Sequence, residues 1–208
     1  GYMADFARRN ELAVQYDTAV RKVSKTDGGY RVEMSAGEVF TCTRLIIATG
    51  LKCRTPKFEG VELCESYETM NTDPAVYRDK KVIILGKGNS AFETADALIP
   101  TTRKIQIVGP RPVKLAWKSH FVGDLRAVNN NFLDTYHLKA QNNVLDGDVR
   151  RVSRDPAGKL RVEIYFESRK RSFEYEADHV LLCTGFEFDA GIFDGDMVFA
   201  SSTGRRRM

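Results

Sequence analysis

The chain repeats itself across two distant segments. Residues 20–24 (VRKVS), 30–34 (YRVEM) and 45–50 (LIIATG) recur as 149–153 (VRRVS), 160–164 (LRVEI) and 180–185 (VLLCTG). The offset grows only from 129, for Val20 to Val149, to 135, for Gly50 to Gly185. Solenoid repeats recur every 20 to 50 residues or so, and this spacing is far longer. Two related domains are therefore expected, each with a three-stranded ribbon followed by an apolar strand that ends in Thr-Gly.

The second copy is preceded by a glycine turn, Gly86-Lys87-Gly88-Asn89-Ser90-Ala91. The turn follows a continuous apolar run, KVIIL at 81–85, of the kind that forms a parallel strand covered on both faces. After it, Ala91, Phe92, Ala95 and Leu98 fall on one helical face, and Pro100 ends the segment. A strand, a glycine turn and a helix in that order form the context a dinucleotide-binding motif requires. Gly86 permits the tight exit from the strand, Gly88 lets the backbone approach a pyrophosphate, and Ala91 allows close packing of helix on strand. The N–H groups of Asn89 and Ser90 would face the phosphates at the positive end of the helix dipole. By the same logic a partner turn is expected 99 residues before Gly50, as Gly86 stands before Gly185, which puts it ahead of Gly1. The chain is thus expected to be a piece of a larger protein with two nucleotide sites.

The next strand ends Val108-Gly109-Pro110-Arg111-Pro112-Val113-Lys114. An NAD site carries Asp or Glu there for the ribose 2′-hydroxyl. No acid is present, and the guanidinium of Arg111, with Lys114 nearby, suits a 2′-phosphate. NADPH is the expected coenzyme. Thr49-Gly50 and Thr184-Gly185 are expected to abut nucleotides at the crossings between domains. Glu93 stands in the first turn of the helix, where it either orients the cofactor or complements the helix N-terminus.

The remaining segments complete the expected organisation. Residues 1–55 read as a remnant of one nucleotide domain: a helix over Tyr2–Arg9, a short strand over Leu12–Tyr16, the ribbon turned at Asp27-Gly28-Gly29, and a buried strand over Thr43–Thr49. Residues 56–79, with Pro56, Gly60 and Pro74, read as a crossover linker. Residues 80–185 read as the second domain, with a strand at Ile105–Val108 and a helix from Gly123 to Val144 marked by Leu125, Val128, Phe132, Leu133 and Tyr136. The ribbon there turns at Asp155-Pro156-Ala157-Gly158. Residues 186–208 read as the start of a return to the first domain and a disordered basic tail. Alternating strands and helices predict an α/β, Rossmann-like, doubly wound sheet.

Composition narrows the alternatives. A content of 42% hydrophobic and 29% charged residues fits a globular chain, and no apolar run approaches the roughly 18 residues of a membrane span. The net charge of +4 falls to +1 without Arg205, Arg206 and Arg207, so nucleic-acid binding has little support. The histidines at 120, 137 and 179 are scattered, and the four cysteines form no C-x-x-C pair, so no metal site is expected. Cys53 and Cys64, 11 residues apart, leave open a disulfide in an oxidising compartment.

These motifs resemble the two-dinucleotide flavoproteins, which comprise thioredoxin-reductase-like enzymes and flavin-containing monooxygenases. The string GKGNSAFETA at 86–95 is similar to the monooxygenase branch. Phe58 and Gly60 match its F-x-G-x-x-x-H linker, although Cys64 replaces the histidine, which counts against ordinary monooxygenase activity. The stretch Trp117–Lys139 resembles an endoplasmic-reticulum group of these flavoproteins associated with protein quality control. The resemblance implies an FAD domain interrupted by an NADPH domain, hydride transfer from NADPH to FAD, and an unknown small-molecule or protein substrate. It also implies residence in the endoplasmic reticulum lumen. The segment alone, lacking the first glycine turn, is expected to bind NADPH weakly, FAD not measurably, and to be inactive. The alternative is a non-catalytic adaptor or redox-sensing nucleotide-binding module.

Overall fold

A computed structural model describes residues 1–120, 123–133 and 143–195. The chain divides into two compact units: Gly1–Gly50 with the residues from Phe188 onward, and Leu51–Glu187.

In the first unit, α1 (Tyr2–Arg9) is followed by β1 (Val20–Thr26), β2 (Gly29–Met34) and β3 (Val39–Cys42). The three strands form an antiparallel sheet in the order β1-β2-β3. Val23 and Val32 stand directly opposite each other and are buried. Cross-strand pairs of this kind hold an antiparallel ribbon together. The chain returns to the same ribbon late: the N–H of Val23 donates to the carbonyl of Ile192 at 2.7 Å, and the N–H of Asp194 donates to that of Val23 at 3.0 Å.

Two expectations fail in this unit. Leu12–Tyr16 is not a strand, and Leu12, Val14 and Tyr16 are all exposed. The buried strand expected at Thr43–Thr49 is likewise irregular, with Ile46 93% exposed. A β-branched run becomes a strand only when a neighbour pairs with it, and among the described residues neither segment has a ladder partner.

The second unit contains β4 (Leu51–Cys53), β5 (Glu65–Ser66), β6 (Lys81–Leu85), α2 (Asn89–Leu98), β7 (Lys104–Gly109), α3 (Ala116–Ser119), β8 (Val144–Asp146), β9 (Asp148–Arg154), β10 (Leu160–Phe166), β11 (Arg171–Ala177), β12 (His179–Leu182) and all but the last residue of β13 (Phe186–Phe188). Five strands form one sheet in the order β5-β12-β6-β7-β8, and every neighbouring pair is parallel. A separate antiparallel sheet has the order β11-β10-β9, and β13 pairs with β4. The result is a mixed α/β fold in which the segment 56–79 supplies an edge strand, β5, and two 3-10 turns.

The two faces of the parallel sheet are covered differently. Val82, Ile84, Ile105, Ile107 and Leu181 pack against Ala91, Phe92, Ala95 and Leu98 of α2. Ile83, Leu85, Val108, Val180 and Leu182 pack against Val152, Leu160, Val162 and Ile164 of the antiparallel ribbon. A doubly wound sheet carries helices on both faces, whereas here one face is roofed by strands. The strict alternation of burial along β10 is the local cause, since every second residue turns toward the parallel sheet.

A further correction concerns the helix expected from Gly123 to Val144. Residues 123–130 form a loop with one 3-10 turn, Ala127–Asn129, and Val144 begins strand β8. Leu125 and Phe132 are fully buried while Val128 is exposed; residues 131–133 are helical, so the expectation is corrected at 123–130 and at Val144, and residues 134–142 lie outside the described residues. Tyr136, His137 and Lys139 lie outside the described residues, as do Arg205–Arg207.

The repeat survives in detail. Val152 and Val162 face each other in the second ribbon as Val23 and Val32 do in the first. Each ribbon also contains one bulge. Val20 pairs with Met34 and Lys22 with Glu33, which leaves Arg21 as the extra residue. Val149 pairs with Ile164 and Arg151 with Glu163, which leaves Arg150. The two extra arginines are 129 residues apart, the offset of the sequence repeat.

Candidate functional site

The glycine turn sits where the apolar run of β6 ends and α2 begins. The N–H of Gly86 donates to the carbonyl of Val108 at 2.8 Å, and the N–H of Cys183 donates to that of Leu85 at 2.8 Å. Gly86 has φ +122°, and a Cβ there would lie 2.0 Å from the carbonyl oxygen of Cys183. Its glycine is therefore demanded by the fold. Gly88 differs. Its backbone is extended (φ −93°), and a Cβ would meet nothing nearer than the carbonyl oxygen of Gly123 at 3.8 Å. Among the described residues no contact requires a glycine at 88, and the space over it fits the close approach of a ligand.

Ala91 is fully buried against the sheet, and Ser90 lies half-buried in the first turn of α2. The side chain of Asn89 is engaged with the loop that follows β7. Its Nδ2 donates to the carbonyl of Asp124 at 3.0 Å, and its Oδ1 accepts from the N–H of Arg126 at 2.9 Å and from Asn129 Nδ2 at 2.9 Å. Glu93 joins the same network, with Oε1 accepting from Arg126 Nη2 and Asn129 Nδ2, each at 2.9 Å. These two side chains tie the loop to the helix; the spacing of the glycine turn gave no sign of this.

Arg111 and Lys114 are exposed on the segment after β7. The Lys114 carbonyl accepts from the N–H of Leu125 at 2.8 Å and the N–H of Ala116 donates to the carbonyl of Leu125 at 2.9 Å, a parallel bridge that holds Leu125 beside Leu115. Thr184 and Gly185 follow β12: Thr184 Oγ1 donates to the carbonyl of Arg54 at 2.5 Å, and the N–H of Arg54 donates to the carbonyl of Gly185 at 2.9 Å. Thr49 and Gly50 are exposed and belong to the first unit. The structure thus gathers Gly86, Gly88, Asn89, Ser90, Ala91, Glu93, Arg111 and Lys114 around the carboxyl ends of β6 and β7, on one unit.

Sequence reasoning missed two residues at this edge. Lys87 forms an ion pair with Asp146, at the end of β8, and its Nζ donates to the carbonyl of Arg111 at 3.1 Å. Burial pulls the Lys87 ammonium below the usual lysine range, and Asp146 opposes that shift. The lysine was legible only as a charged residue between two glycines, an uncommon choice for a turn that packs so tightly.

The cysteines are free thiols, and the Cys53–Cys64 bridge left open by the spacing is not formed. Cys64 packs against the core shared by the parallel sheet and the ribbon. Burial pushes its thiol up to about 12, and that of Cys183 up to about 11. Among the described residues no cluster of His, Cys, Asp or Glu is arranged to hold a metal ion, and no helix is long and apolar enough to cross a membrane.

Comparison with known proteins gives the same frame. Residues 1–207 match the family model described as pyridine nucleotide-disulphide oxidoreductase. Two proteins named FAD-dependent oxidoreductase domain-containing protein 2 are similar along nearly the whole chain. The one from Mus musculus is 35% identical over 97% of this chain, and the one from Danio rerio is 33% identical over 99%. The chain spans only 35% and 37% of those relatives' lengths. Among solved structures, thioredoxin reductase from T. acidophilum superposes with a TM-score of 0.66 at 18% identity, covering 92% of this chain and 60% of that one. A flavin-containing monooxygenase from Stenotrophomonas maltophilia gives 0.70 at 20% identity, covering 95% and 59%. With a family model matched across almost every residue, the chain belongs to the pyridine nucleotide-disulphide oxidoreductases, a family of FAD- and NAD(P)-dependent oxidoreductases.

Proposed function

We propose that Leu51–Glu187 is the NADPH-binding part of an FAD- and NADPH-dependent oxidoreductase. The first unit, in this reading, contributes to the flavin domain. The observation that carries it is the contrast between Gly86, whose Cβ the fold excludes, and Gly88, whose Cβ would meet no described protein atom nearer than 3.8 Å and would stand where a pyrophosphate approaches. The N–H groups of Asn89 and Ser90 would hold the pyrophosphate at the N-terminus of α2. Arg111, with Lys114, would take the 2′-phosphate by charge-assisted hydrogen bonds. Bound NADPH supplies a hydride from its nicotinamide; the protein's part is to hold and orient it.

For FAD the fit is different. Among the described residues of the first unit there is no strand, glycine turn and helix in sequence, so these residues do not by themselves form a cradle for its diphosphate. The two cysteines whose thiols burial raises do not support a dithiol relay through either of them. Cys64 and Cys183 are held as thiols by burial, whereas a nucleophilic cysteine needs a lowered pKa. An acceptor other than a disulfide formed by this segment fits better, as in a monooxygenase-like enzyme using oxygen or a small molecule.

The test is calorimetric titration of the intact protein with NADPH and NADH. Gly88→Ala is expected to keep the wild-type thermal midpoint and to weaken NADPH at least tenfold, about 1.4 kcal/mol. Arg111→Ala is expected to weaken NADPH and leave NADH nearly unchanged. Undiminished NADPH binding by Gly88→Ala would remove the site, and equal losses for both nucleotides in Arg111→Ala would remove the 2′-phosphate assignment.

A further inference from the structure

The carboxyl end of the parallel sheet carries an acid that the end of β7 lacks. Asp146 lies directly opposite Gly109 across the β7–β8 ladder. Its side chain is 56% exposed, whereas that of Lys87, its ion-pair partner, is 8% exposed. The lysine stem runs over the end of β7: a Cβ built on Gly109 would lie 3.2 Å from Lys87 Cγ and 3.4 Å from Cδ. The ammonium at its tip also holds the Arg111 carbonyl. One buried side chain therefore crosses from the glycine turn, over β7, to the acid on β8 and the arginine turn.

An exposed carboxylate beside the ribose end of a dinucleotide site has a known chemical consequence. It accepts a hydrogen bond from a 2′-hydroxyl and repels a 2′-phosphate. Asp146 would confer that preference if it stood alone. We infer that Lys87 sets the coenzyme preference of this site, by neutralising Asp146 and by fixing the turn that presents Arg111. Lys87 is then a specificity-determining residue that works through its two neighbours. The inference rests on the nucleotide reading above and deepens it.

Adenosine 2′,5′-bisphosphate and 5′-AMP differ only in the 2′-phosphate and need no flavin, so they are the probes. Their affinities are compared by calorimetry on the intact protein, with circular dichroism to verify folding. The wild type is expected to favour the bisphosphate. Lys87→Met keeps most of the stem's packing but removes its charge, and should lower that preference at least tenfold. Asp146→Asn should preserve the preference, and the Lys87→Met/Asp146→Asn pair should recover most of what Lys87→Met loses. Lys87→Arg keeps a cation at the position and should remain close to wild type; it carries the comparison if the methionine variant fails to fold, since a lost preference in a folded arginine variant with its charge intact would overturn the role. A wild type that discriminates, with Lys87→Met discriminating equally, overturns the inference alone. A loss in Lys87→Met that the double variant does not recover overturns the masking of Asp146. A wild type with no preference for the bisphosphate instead overturns the NADPH reading beneath it.

Discussion

The two ribbons share strand order, bulge position and central valine pair, yet they are buried very differently. Along β10 every second residue is buried, from Leu160 through Val162 and Ile164 to Phe166, because that face lies on the parallel sheet. Along β2 only Val32 is fully buried, and on β3 Val39 and Phe40 are exposed. The same local code thus specifies the same pairing in both copies, but the energy gained from it depends on what each sheet rests against.

The sharpest test of that difference compares equivalent positions. Ile164 is fully buried, while its counterpart Met34 is only half-buried. Ile164→Ala is expected to cost about 2–5 kcal/mol in urea unfolding of the second unit. Met34→Ala should cost less than about 1 kcal/mol. Similar losses at both sites would mean that the first ribbon rests on a core of comparable depth.

A smaller effect is expected at Asp178, which clamps the start of β6 to the end of the second ribbon. Its Oδ2 accepts from the N–H of Lys81 at 2.8 Å, and its Oδ1 is paired with Lys159. Partial burial raises the Asp178 pKa, but Lys159 and the Lys81 N–H more than offset it, so the carboxyl titrates below its ordinary value. A depressed carboxyl stabilises the fold above its unfolded pKa, and the contribution disappears as pH falls through the folded one. Asp178→Asn should therefore lower stability at neutral pH and flatten the acid limb below about pH 4. The repeat places Thr43 at the corresponding position, exposed and without such a clamp, so Thr43→Ala should leave the pH profile unchanged. An unaltered acid limb in Asp178→Asn would show that the clamp has no weight.

The smallest difference between the copies is expected where they agree. Gly50 has φ +77° and Gly185 φ +89°, and a Cβ at either would touch nothing within 4 Å. Only backbone strain opposes alanine there, and each substitution should cost about 1–2 kcal/mol in thermal unfolding. A much larger loss at one of them would reveal a packing demand that its twin lacks.

These contrasts explain what could be read from residues alone. The run KVIIL, the turn and the apolar face of α2 were legible because each depends on neighbours close in sequence. The two ribbons were legible because a repeat tests itself. Leu12–Tyr16 and Thr43–Thr49 were misread because a strand requires a partner that local pattern does not supply. The loop at 123–130 was misread as helix because Leu125, buried on its own, stands at helical spacing from Phe132, where the described helical residues 131–133 lie. At the site, the glycines and Arg111 carried motif information. The backbone N–H of Asn89 was assigned to the nucleotide and Glu93 either to the cofactor or to the helix N-terminus; that their side chains also hold the loop at 124–129 was not legible. The Lys87–Asp146 pair joins residues 59 positions apart, and no local pattern announces it.

The matching bulges have a consequence for engineering. An extra residue at Arg21 and at Arg150 shifts the inward and outward rows of each hairpin by the same step. A graft of 20–34 into 149–164 would therefore present its side chains to the correct sides without any loop redesign at the bulge. The irregularity then gives the two hairpins a common point of alignment for such an exchange.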